Sequence, residues 1–405
     1  MFKNIPKHWN INPLSFPEIS TIIMGQSPSS NTYNDTQEGL PFFQGKADFG
    51  DFSPTPRVWC SKPLKISQKD DILLSVRAPV GAINYNTETC CIGRGLAAIR
   101  AGKKLLPKYI YYFFKYYEPI LKEEGSGAVF SAITKSFVEN IRIPVPPTLE
   151  EQQEIVDVLD AASEIIRLRT ACIESAQSLI PALFQEMFGD PINNNKNYPC
   201  ESLKNLCSKI GSGATPRGGK ESYLKEGISF VRSMNVHDGI FQYKDLAFIN
   251  DEQAKLLDNV ELQESDVLIN ITGASVARTC IVPKEILPAR VNQHVSILRC
   301  TGRLNPYFLN VLLYFQTTKQ KLLDLANSKG ATREAITKQQ LELFKIILPP
   351  IEQQELFAEK VQEIEAYIKT QHEELENAKA MFHSLLHHTF TGELTRHKFG
   401  GDANG

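Results

Sequence analysis

The 405-residue sequence contains no hydrophobic run long enough to cross a membrane. A bilayer-spanning helix needs about 18 or more predominantly apolar residues, and every apolar stretch here is shorter. The first residues carry no apolar signal core, so secretion is not expected. The eight cysteines are scattered, and no two have the Cys-x-x-Cys spacing of a zinc ribbon or a thioredoxin-type site. These absences argue against a disulfide-stabilised protein and favour a reducing cytoplasm.

Catalytic signatures are missing as well. The glycine-rich stretch 211–220 fails as a P-loop, because Glu221 follows Lys220 where a Ser or Thr is required. His383 and His387 lie four residues apart, but no acidic residue separates them as in a zinc protease, so solvent-facing histidines are the preferred interpretation. Neither a nucleophile elbow nor an adenine-methylase Asn-Pro-Pro-Tyr motif is found. The sequence therefore favours a binding protein over an enzyme.

The chain repeats itself once. Five short segments recur in the same order, and their offset drifts only from 188 to 203 residues. The paired segments begin at Glu38 and Glu226, Asp71 and Asp266, Ile133 and Ile336, Ile143 and Ile346, and Glu151 and Glu352. Two copies are too few for a solenoid, so this pattern predicts a duplicated module.

Each module begins with a mixed domain. Short β-branched runs separated by Gly, Pro, Asn and Ser clusters predict α+β domains over residues 1–150 and 191–351. A helical segment lies late in each domain, at 108–124 and 306–327. The first segment carries aromatic residues at helical spacing, which we interpret as core residues and not as a base-stacking face: Tyr109, Tyr112, Phe113 and Tyr116.

Each module ends with a long helix, predicted over 151–190 and, with a C-terminal tail, over 352–405. Apolar residues there recur in alternating steps of four and three, the 3.5-residue period of a coiled-coil seam. The predicted seam residues are Ile155, Leu159, Ile166, Arg169, Ile173, Ile180, Leu183, Val361, Ile364, Ile368, Gln371, Leu375, Phe382 and Leu385. Two such helices can pair antiparallel about a pseudo-two-fold axis, with Arg169 facing Gln371.

Charge is distributed unevenly although the net charge is only −2. Residues 1–150 and 189–351 each carry a net charge of +4, whereas the helices at 151–188 and 352–390 each carry −5. Mildly basic domains suit a polyanion, because neutralising phosphates releases counterions. The acidic helices should face away from phosphate or bind protein.

The duplicated module resembles the specificity (S) subunit of type I restriction–modification systems. The resemblance rests on the segments at 25–28, 71–77, 127–153, 178–184, 214–216, 266–271, 330–354 and 384–394, and so covers nearly the whole chain. The Pro-Pro…Glu-Gln-Gln junction, found at 146–153 and 349–354, is its most specific part.

This resemblance implies a non-catalytic subunit that reads double-stranded DNA. Two target-recognition domains would each read half of an asymmetric bipartite site. The two long helices would form an antiparallel spacer that docks two methyltransferase subunits, and motor-nuclease subunits would join for restriction. S-adenosylmethionine, ATP and magnesium are then expected on these partners, with no cofactor and no metal in this chain, and no membrane association.

The residues that contact DNA are predicted from side-chain chemistry. Arginine can bridge guanine O6 and N7, glutamine can bridge adenine, and lysine and arginine in loops hold phosphates. The candidates in the first domain are Gln44, Lys46, Arg57, Arg77, Arg94 and Lys135. The candidates in the second domain are Arg217, Lys220, Arg232, Arg278, Arg290, Lys329, Arg333 and Lys338.

Three alternatives stay open at this point. The chain could be a coiled-coil adaptor whose domains bind proteins and have no DNA specificity. It could be an enzyme that holds a nucleotide with the 211–220 loop. It could also serve methylation alone, without a nuclease partner.

Overall fold

The computed structural model describes residues 2, 5–126, 132–216, 219–327 and 334–392. The chain divides into two compact units, of which unit 1 is Met1–Thr170 with Glu373–Gly405 and unit 2 is Ala171–His372. Within those described ranges, no helix has the length and apolarity that crossing a bilayer requires. The fold is α+β with an internal repeat, as the sequence predicts.

Unit 1 contains eleven strands in three sheets among its described residues. They are β1 (Asn10–Pro13), β2 (Ser20–Met24), β3 (Tyr33–Asn34), β4 (Leu40–Phe43), β5 (Trp59–Cys60), β6 (Ile66–Ser67), β7 (Ile72–Ser75), β8 (Ile83–Tyr85), β9 (Cys90–Ile92), β10 (Leu96–Ala101) and β11 (Arg142–Val145). An antiparallel sheet has the order β2-β10-β7-β8, and a second sheet has the order β3-β5-β4-β9-β6 with β4 and β9 parallel. Strands β1 and β11 pair separately.

The helices of unit 1 are α1 (Pro107–Ser126), α2 (Lys135–Asn140) and the first part of α3 (Leu149–Phe188). Strand β7 has no polar alternation because both of its faces are covered. Ile72 and Leu74 belong to the main core with α1, and Leu73 packs into a smaller core with Phe43 of the second sheet.

The aromatic residues of α1 lie in the core of unit 1, as predicted. Tyr109, Tyr112 and Phe113 are at most 2% exposed, and Tyr116 is partly buried against the same core. The Tyr109 hydroxyl donates to the carbonyl of Pro144 at 2.8 Å, which satisfies its only polar group. These rings stabilise the domain and are not available to stack on bases.

In the part of the chain that the structure describes, unit 2 repeats the four-stranded sheet and the separate strand pair of unit 1, whereas its second sheet has three strands and a further two-strand pair accompanies it. Its strands are β12 (Cys200–Ser202), β13 (Cys207–Ser212), β14 (Ile228–Val231), β15 (Val236–His237), β16 (Ile240–Phe241), β17 (Ala247–Ile249), β18 (Val267–Asn270), β19 (Thr279–Ile281), β20 (Ala289–Val291), β21 (Val295–Cys300) and β22 (Lys345–Ile347). The order β13-β21-β18-β19 reproduces β2-β10-β7-β8, and the parallel pair β14–β20 reproduces β4–β9. The pair β12–β22 likewise corresponds to β1–β11.

The helices of unit 2 are the second part of α3, α4 (Leu203–Leu206), α5 (Asp251–Lys255), α6 (Pro306–Tyr314), α7 (Gln316–Asn327), α8 (Lys338–Leu343) and the first part of α9 (Ile351–Thr391). The helical segment predicted at 306–327 is therefore two helices. The break falls at Phe315, whose backbone is extended and whose ring lies 5.1 Å from that of Phe184.

The two long helices pair antiparallel inside each unit. In unit 1, Ile155 of α3 shares a core with Phe390 of α9, and farther along α3 Arg169 forms an ion pair with Glu374. In unit 2, Phe184 of α3 shares a core with Phe357 of α9. All fourteen predicted seam residues are buried or half-buried.

A buried glutamine joins each long helix to its domain. In unit 1, Gln152 accepts a hydrogen bond from the Leu106 backbone at 2.9 Å and donates to the carbonyl of Lys104 at 2.8 Å. In unit 2, Gln354 accepts from the Asn305 backbone at 2.9 Å and donates to the carbonyl of Pro349 at 2.8 Å. These contacts explain why the Glu-Gln-Gln junction occurs twice.

Candidate nucleic-acid interface

Four of the predicted DNA contacts in unit 1 lie around one recess. Gln44, Lys46, Arg77 and Arg94 line it together with Ser27, and its volume is about 240 Å³. All four candidate side chains are exposed. The recess forms where loops leave β4, β7 and β9, so residues far apart in sequence are brought together by the sheets.

Backbone contacts hold these three loops in place. The Gly93 N–H donates to the carbonyl of Phe43 at 2.8 Å, and the Val76 N–H donates to the carbonyl of Gly95 at 2.9 Å. A Cβ at Gly95 would lie only 2.2 Å from the carbonyl oxygen of Gln44, so glycine is required there. The recess therefore has a fixed floor from which the candidate side chains project.

The recess carries positive charge, and three of its cations have no acidic partner among the residues that the structure describes. In the ranges that the structure describes, no ion pair or side-chain hydrogen bond involves the terminal groups of Lys46, Arg77 or Arg94. The Arg94 backbone N–H donates to Ser27 Oγ at 3.2 Å, which leaves its guanidinium free to point outward. Unpaired cations beside an exposed amide form a site that suits a phosphate or the edge of a base.

The two other candidates of unit 1 are engaged. Arg57 pairs with Asp48 at 2.5 Å, and Asp48 also accepts the Gln44 backbone N–H at 2.7 Å, so Arg57 braces the loop that carries Gln44. Lys135 is exposed at the start of α2 and pairs with Glu139 at 3.2 Å. These exposed pairs are weak, so either cation can exchange its partner for a phosphate.

Unit 2 builds the equivalent loops with the same backbone contacts. The Asn292 N–H donates to the carbonyl of Val231 at 3.1 Å, as Gly93 does to Phe43. The Ile271 N–H donates to the carbonyl of His294 at 2.9 Å, as Val76 does to Gly95.

By these contacts, three positions of unit 2 correspond to the recess of unit 1. Arg232 corresponds to Gln44, Thr272 to Arg77, and Gln293 to Arg94. Of these three, only Arg232 was predicted. Thr272, Gln293 and the adjacent His294 were missed, because their side chains differ from those of unit 1 and their positions become visible only through the shared backbone.

The remaining candidates of unit 2 differ in their surroundings. Arg232 is half-buried, with its guanidinium 5.3 Å from the centre of the Tyr223 ring and bonded to the carbonyl of Asp245. Arg278 is half-buried beside β19. Lys338 begins α8, pairs with Glu342 at 3.6 Å and lines a recess of about 550 Å³ with Lys204 and Lys209.

Arg290 is a correction to the predicted set. Its side chain is 7% exposed and pairs with Asp258 at 2.9 Å and Glu261 at 3.2 Å. A buried guanidinium with two carboxylate partners stabilises the domain and cannot reach DNA. We therefore remove it from the candidate contacts.

Four further candidates fall outside what the structure describes. Arg217, Lys329 and Arg333 lie outside the described residues, and so does the side chain of Lys220.

Comparison with known proteins identifies one family. The family described as "Type I restriction modification DNA specificity domain" matches residues 6–176 and 196–379. The two matched segments correspond to the two copies of the module.

Individual relatives agree with this match. A putative type I restriction enzyme MjaX specificity subunit of Methanocaldococcus jannaschii is 46% identical over 166 residues, which cover 41% of this chain and 39% of that relative. The MjaIX specificity subunit of the same organism is 25% identical, and the alignment covers 96% of this chain and 94% of that protein. The crystal structure of a type I S subunit from M. genitalium covers 95% of this chain and 96% of its own, with a TM-score of 0.55 and 14% identity, which shows a shared fold.

Proposed function

Because this chain belongs to the type I restriction–modification DNA specificity family, we propose that it recognises double-stranded DNA for such a system. The observation that carries this proposal is the unit 1 recess, where Lys46, Arg77 and Arg94, which pair with no described acidic side chain, lie beside the amide of Gln44. Cations attract the phosphate backbone by releasing counterions, and arginine and glutamine distinguish guanine and adenine in the major groove.

We propose further that the target is bipartite and asymmetric. The two units share the order of their four-stranded sheets, one parallel strand pair and the loop contacts, so each can present a reading surface of the same design. Their side chains at equivalent positions differ, with Arg77 replaced by Thr272 and Arg94 by Gln293. Two unlike surfaces read unlike half-sites, whereas identical surfaces would read a repeat of one sequence.

Phosphate contacts are proposed for the exposed cations beside these surfaces. Arg57, Lys135 and Lys338 each have a weak partner at the surface, and Arg278 lies on the loop before β19. The same role is proposed for Arg217, Lys220, Lys329 and Arg333. Such residues position the protein on the duplex and carry no direct sequence information.

The proposed role is non-catalytic, with partners that perform the chemistry. We propose that two methyltransferase subunits dock on the long helices, that motor-nuclease subunits join them, and that S-adenosylmethionine, ATP and magnesium are bound by these partners. In unit 1, helix α3 supports a docking role because Val158, Ile165 and Leu168 are 40%, 40% and 52% exposed on one face. The complex would act in the cytoplasm, in keeping with eight free thiols.

Binding to duplexes that carry the two half-sites tests the DNA proposal. We expect scrambling either half-site alone to abolish specific binding in a footprinting assay, and Arg94→Ala to weaken binding to the cognate duplex about 10-fold or more. Lys103→Ala removes an exposed cation just beyond the other end of β10 and is the matched control. Symmetric protection of a palindrome, or no salt-sensitive DNA binding at all, would instead support the adaptor alternative.

A further inference from the structure

We propose that Gln293 is the base-reading residue of unit 2 and that it selects adenine, whereas Arg94 at the equivalent position of unit 1 selects guanine. This inference rests on the proposed DNA recognition and adds the residue and the base. The observation behind it is a chain of side-chain hydrogen bonds that fixes Gln293 at the position of the unit 1 recess.

Two polar side chains, Thr215 and His294, contact the Gln293 amide, and a third, Thr272, contacts His294. Thr215 donates its hydroxyl to Gln293 Oε1. Gln293 Nε2 lies 3.2 Å from His294 Nε2, and His294 Nδ1 lies 2.6 Å from the hydroxyl of Thr272. An amide nitrogen can only donate, so His294 Nε2 accepts, and its Nδ1–H donates to Thr272. This sequence of bonds sets both the orientation of the amide and the tautomer of the imidazole.

The remaining hydrogen-bonding capacity of Gln293 matches one base. An amide group offers two N–H donors and two acceptor lone pairs on its oxygen. His294 takes one donor and Thr215 fills one lone pair, which leaves one donor and one acceptor on the amide of this exposed residue. Adenine presents the complementary pair in the major groove, with N7 as acceptor and the N6 amino group as donor.

Unit 1 offers different chemistry at the same place. Ser27 contacts the backbone N–H of Arg94 at 3.2 Å, so this hydroxyl holds the loop and leaves the side chain free. The guanidinium of Arg94 has donors only, and two parallel donors match O6 and N7 of guanine. The same framework position therefore presents a donor–acceptor pair in unit 2 and a donor–donor pair in unit 1.

Exchanging the two residues tests this inference. Gln293→Arg and Arg94→Gln are made in the full chain, assembled with its methyltransferase partners, and each half-site is selected from a random library while the other is held fixed. We expect Gln293→Arg to change one position of the second half-site from adenine to guanine, with about 10- to 100-fold weaker binding to the original site. Arg94→Gln should cause the converse change in the first half-site only.

Further variants distinguish a direct contact between Gln293 and a base from a role in which Gln293 only stabilises its loop. Gln293→Glu keeps the acceptors but removes the donors, so the adenine preference should disappear. Thr272→Val removes the support of His294 and should weaken the preference without changing the base. A uniform loss of affinity across all sequences, or an unchanged preference in Gln293→Arg and Gln293→Glu, would overturn the inference. If the unaltered protein selects no sequence at either half-site, the proposed function itself fails, which is a different outcome.

Discussion

Individual polar residues in this protein divide into those fixed inside a domain and those left free at its surface. Arg100 and Arg299 occupy equivalent strand positions, and each forms a bidentate pair with a buried aspartate, Asp71 or Asp266. Arg77 and Arg94 have no such partner among the described side chains. Residue type alone does not separate these groups, because the distinction depends on the carboxylates that the fold brings near.

Arg290 illustrates why part of the site could not be predicted. Arg290 was chosen for its charge, yet Asp258 and Glu261 reach it from a preceding turn, and no nearby sequence pattern marks that pairing. Gln293 is not among the candidates predicted from sequence. Its side chain is neutral, and it lies outside the five segments that recur between the two modules. Selection by side-chain charge therefore favours lysine and arginine and passes over neutral hydrogen-bonding residues such as Gln293.

Glu365 is a partly buried acid outside the candidate interface. Burial raises the pKa of its carboxyl from 4.5 to about 7. The folded protein therefore keeps a proton that the unfolded chain releases near pH 4.5, so the stability of unit 2 should fall as pH rises from about 4.5 to 7. We expect Glu365→Gln to be about 3 kcal/mol more stable than the unaltered protein at pH 8.

The stability difference between Glu365→Gln and the unaltered protein should vanish near pH 4, where the carboxyl is protonated in both states. Urea unfolding at a series of pH values from 4 to 8 measures this difference. Glu359→Gln, at an exposed position of the same helix, is the control and should show no such pH dependence. A difference for Glu365→Gln that stays constant across this pH range would contradict the prediction.

The elements of the fold were predicted more completely than its residues. The heptad pattern located both long helices, because a 3.5-residue period is a property of one segment and needs no knowledge of the rest. The Glu-Gln-Gln junction was matched one residue out of register, since Gln152 corresponds in its contacts to Gln354 and not to Gln353. Alignment by residue identity pairs Gln152 with Gln353. The buried hydrogen-bonding role instead pairs Gln152 with Gln354.

Gln152 is expected to stabilise the junction between α3 and the first domain. Its side chain is 1% exposed and bonds to two backbone groups, so Gln152→Ala leaves the Leu106 N–H and the Lys104 carbonyl without this partner. We expect a loss of about 2–3 kcal/mol in the free energy of unfolding. Gln153→Ala, at the exposed neighbouring position, should cost less than about 0.5 kcal/mol. Equal effects in urea unfolding would show that the junction does not depend on this side chain.

The exposed apolar face of α3 leads to a prediction about assembly. Leu168→Glu places a charge on that face, and because the side chain is 52% exposed the fold should be retained. We expect binding of the methyltransferase subunits to weaken about 10-fold or more, while the circular dichroism spectrum stays unchanged.

The control for this variant is Thr170→Glu. Thr170 is also exposed, and two residues along a helix correspond to a rotation of about 200°, so the same charge is placed on nearly the opposite side. This variant should bind the methyltransferase subunits normally. Unimpaired assembly of Leu168→Glu in co-purification would exclude the apolar face as the docking surface.

At the scale of the whole molecule, each unit is completed by both long helices. Unit 1 includes Glu373–Gly405 in addition to the first 170 residues, and Phe390 from that segment lies in its main core. Phe357 has the corresponding place in the core of unit 2. Both rings are fully buried, so each unit depends on a helix that follows the second domain in sequence.

Matched truncations of these rings should therefore act on different units. We expect Phe390→Ala to destabilise unit 1 by about 4 kcal/mol and Phe357→Ala to destabilise unit 2 by a similar amount. Hydrogen exchange resolved along the chain measures both effects. Faster exchange in α1 should accompany the first variant, and faster exchange in α6 the second. Loss of protection confined to α9 in both variants would contradict this assignment.

Unit 1 is built from two segments that are far apart in sequence, and this has a consequence during synthesis on the ribosome. Unit 2 is one continuous stretch, Ala171–His372, and can complete its core as soon as that stretch has emerged. Unit 1 must wait for Phe390, although its domain is translated first. The nascent first domain therefore exposes an apolar surface until residue 390 has emerged from the ribosome, and such a surface is what chaperones bind.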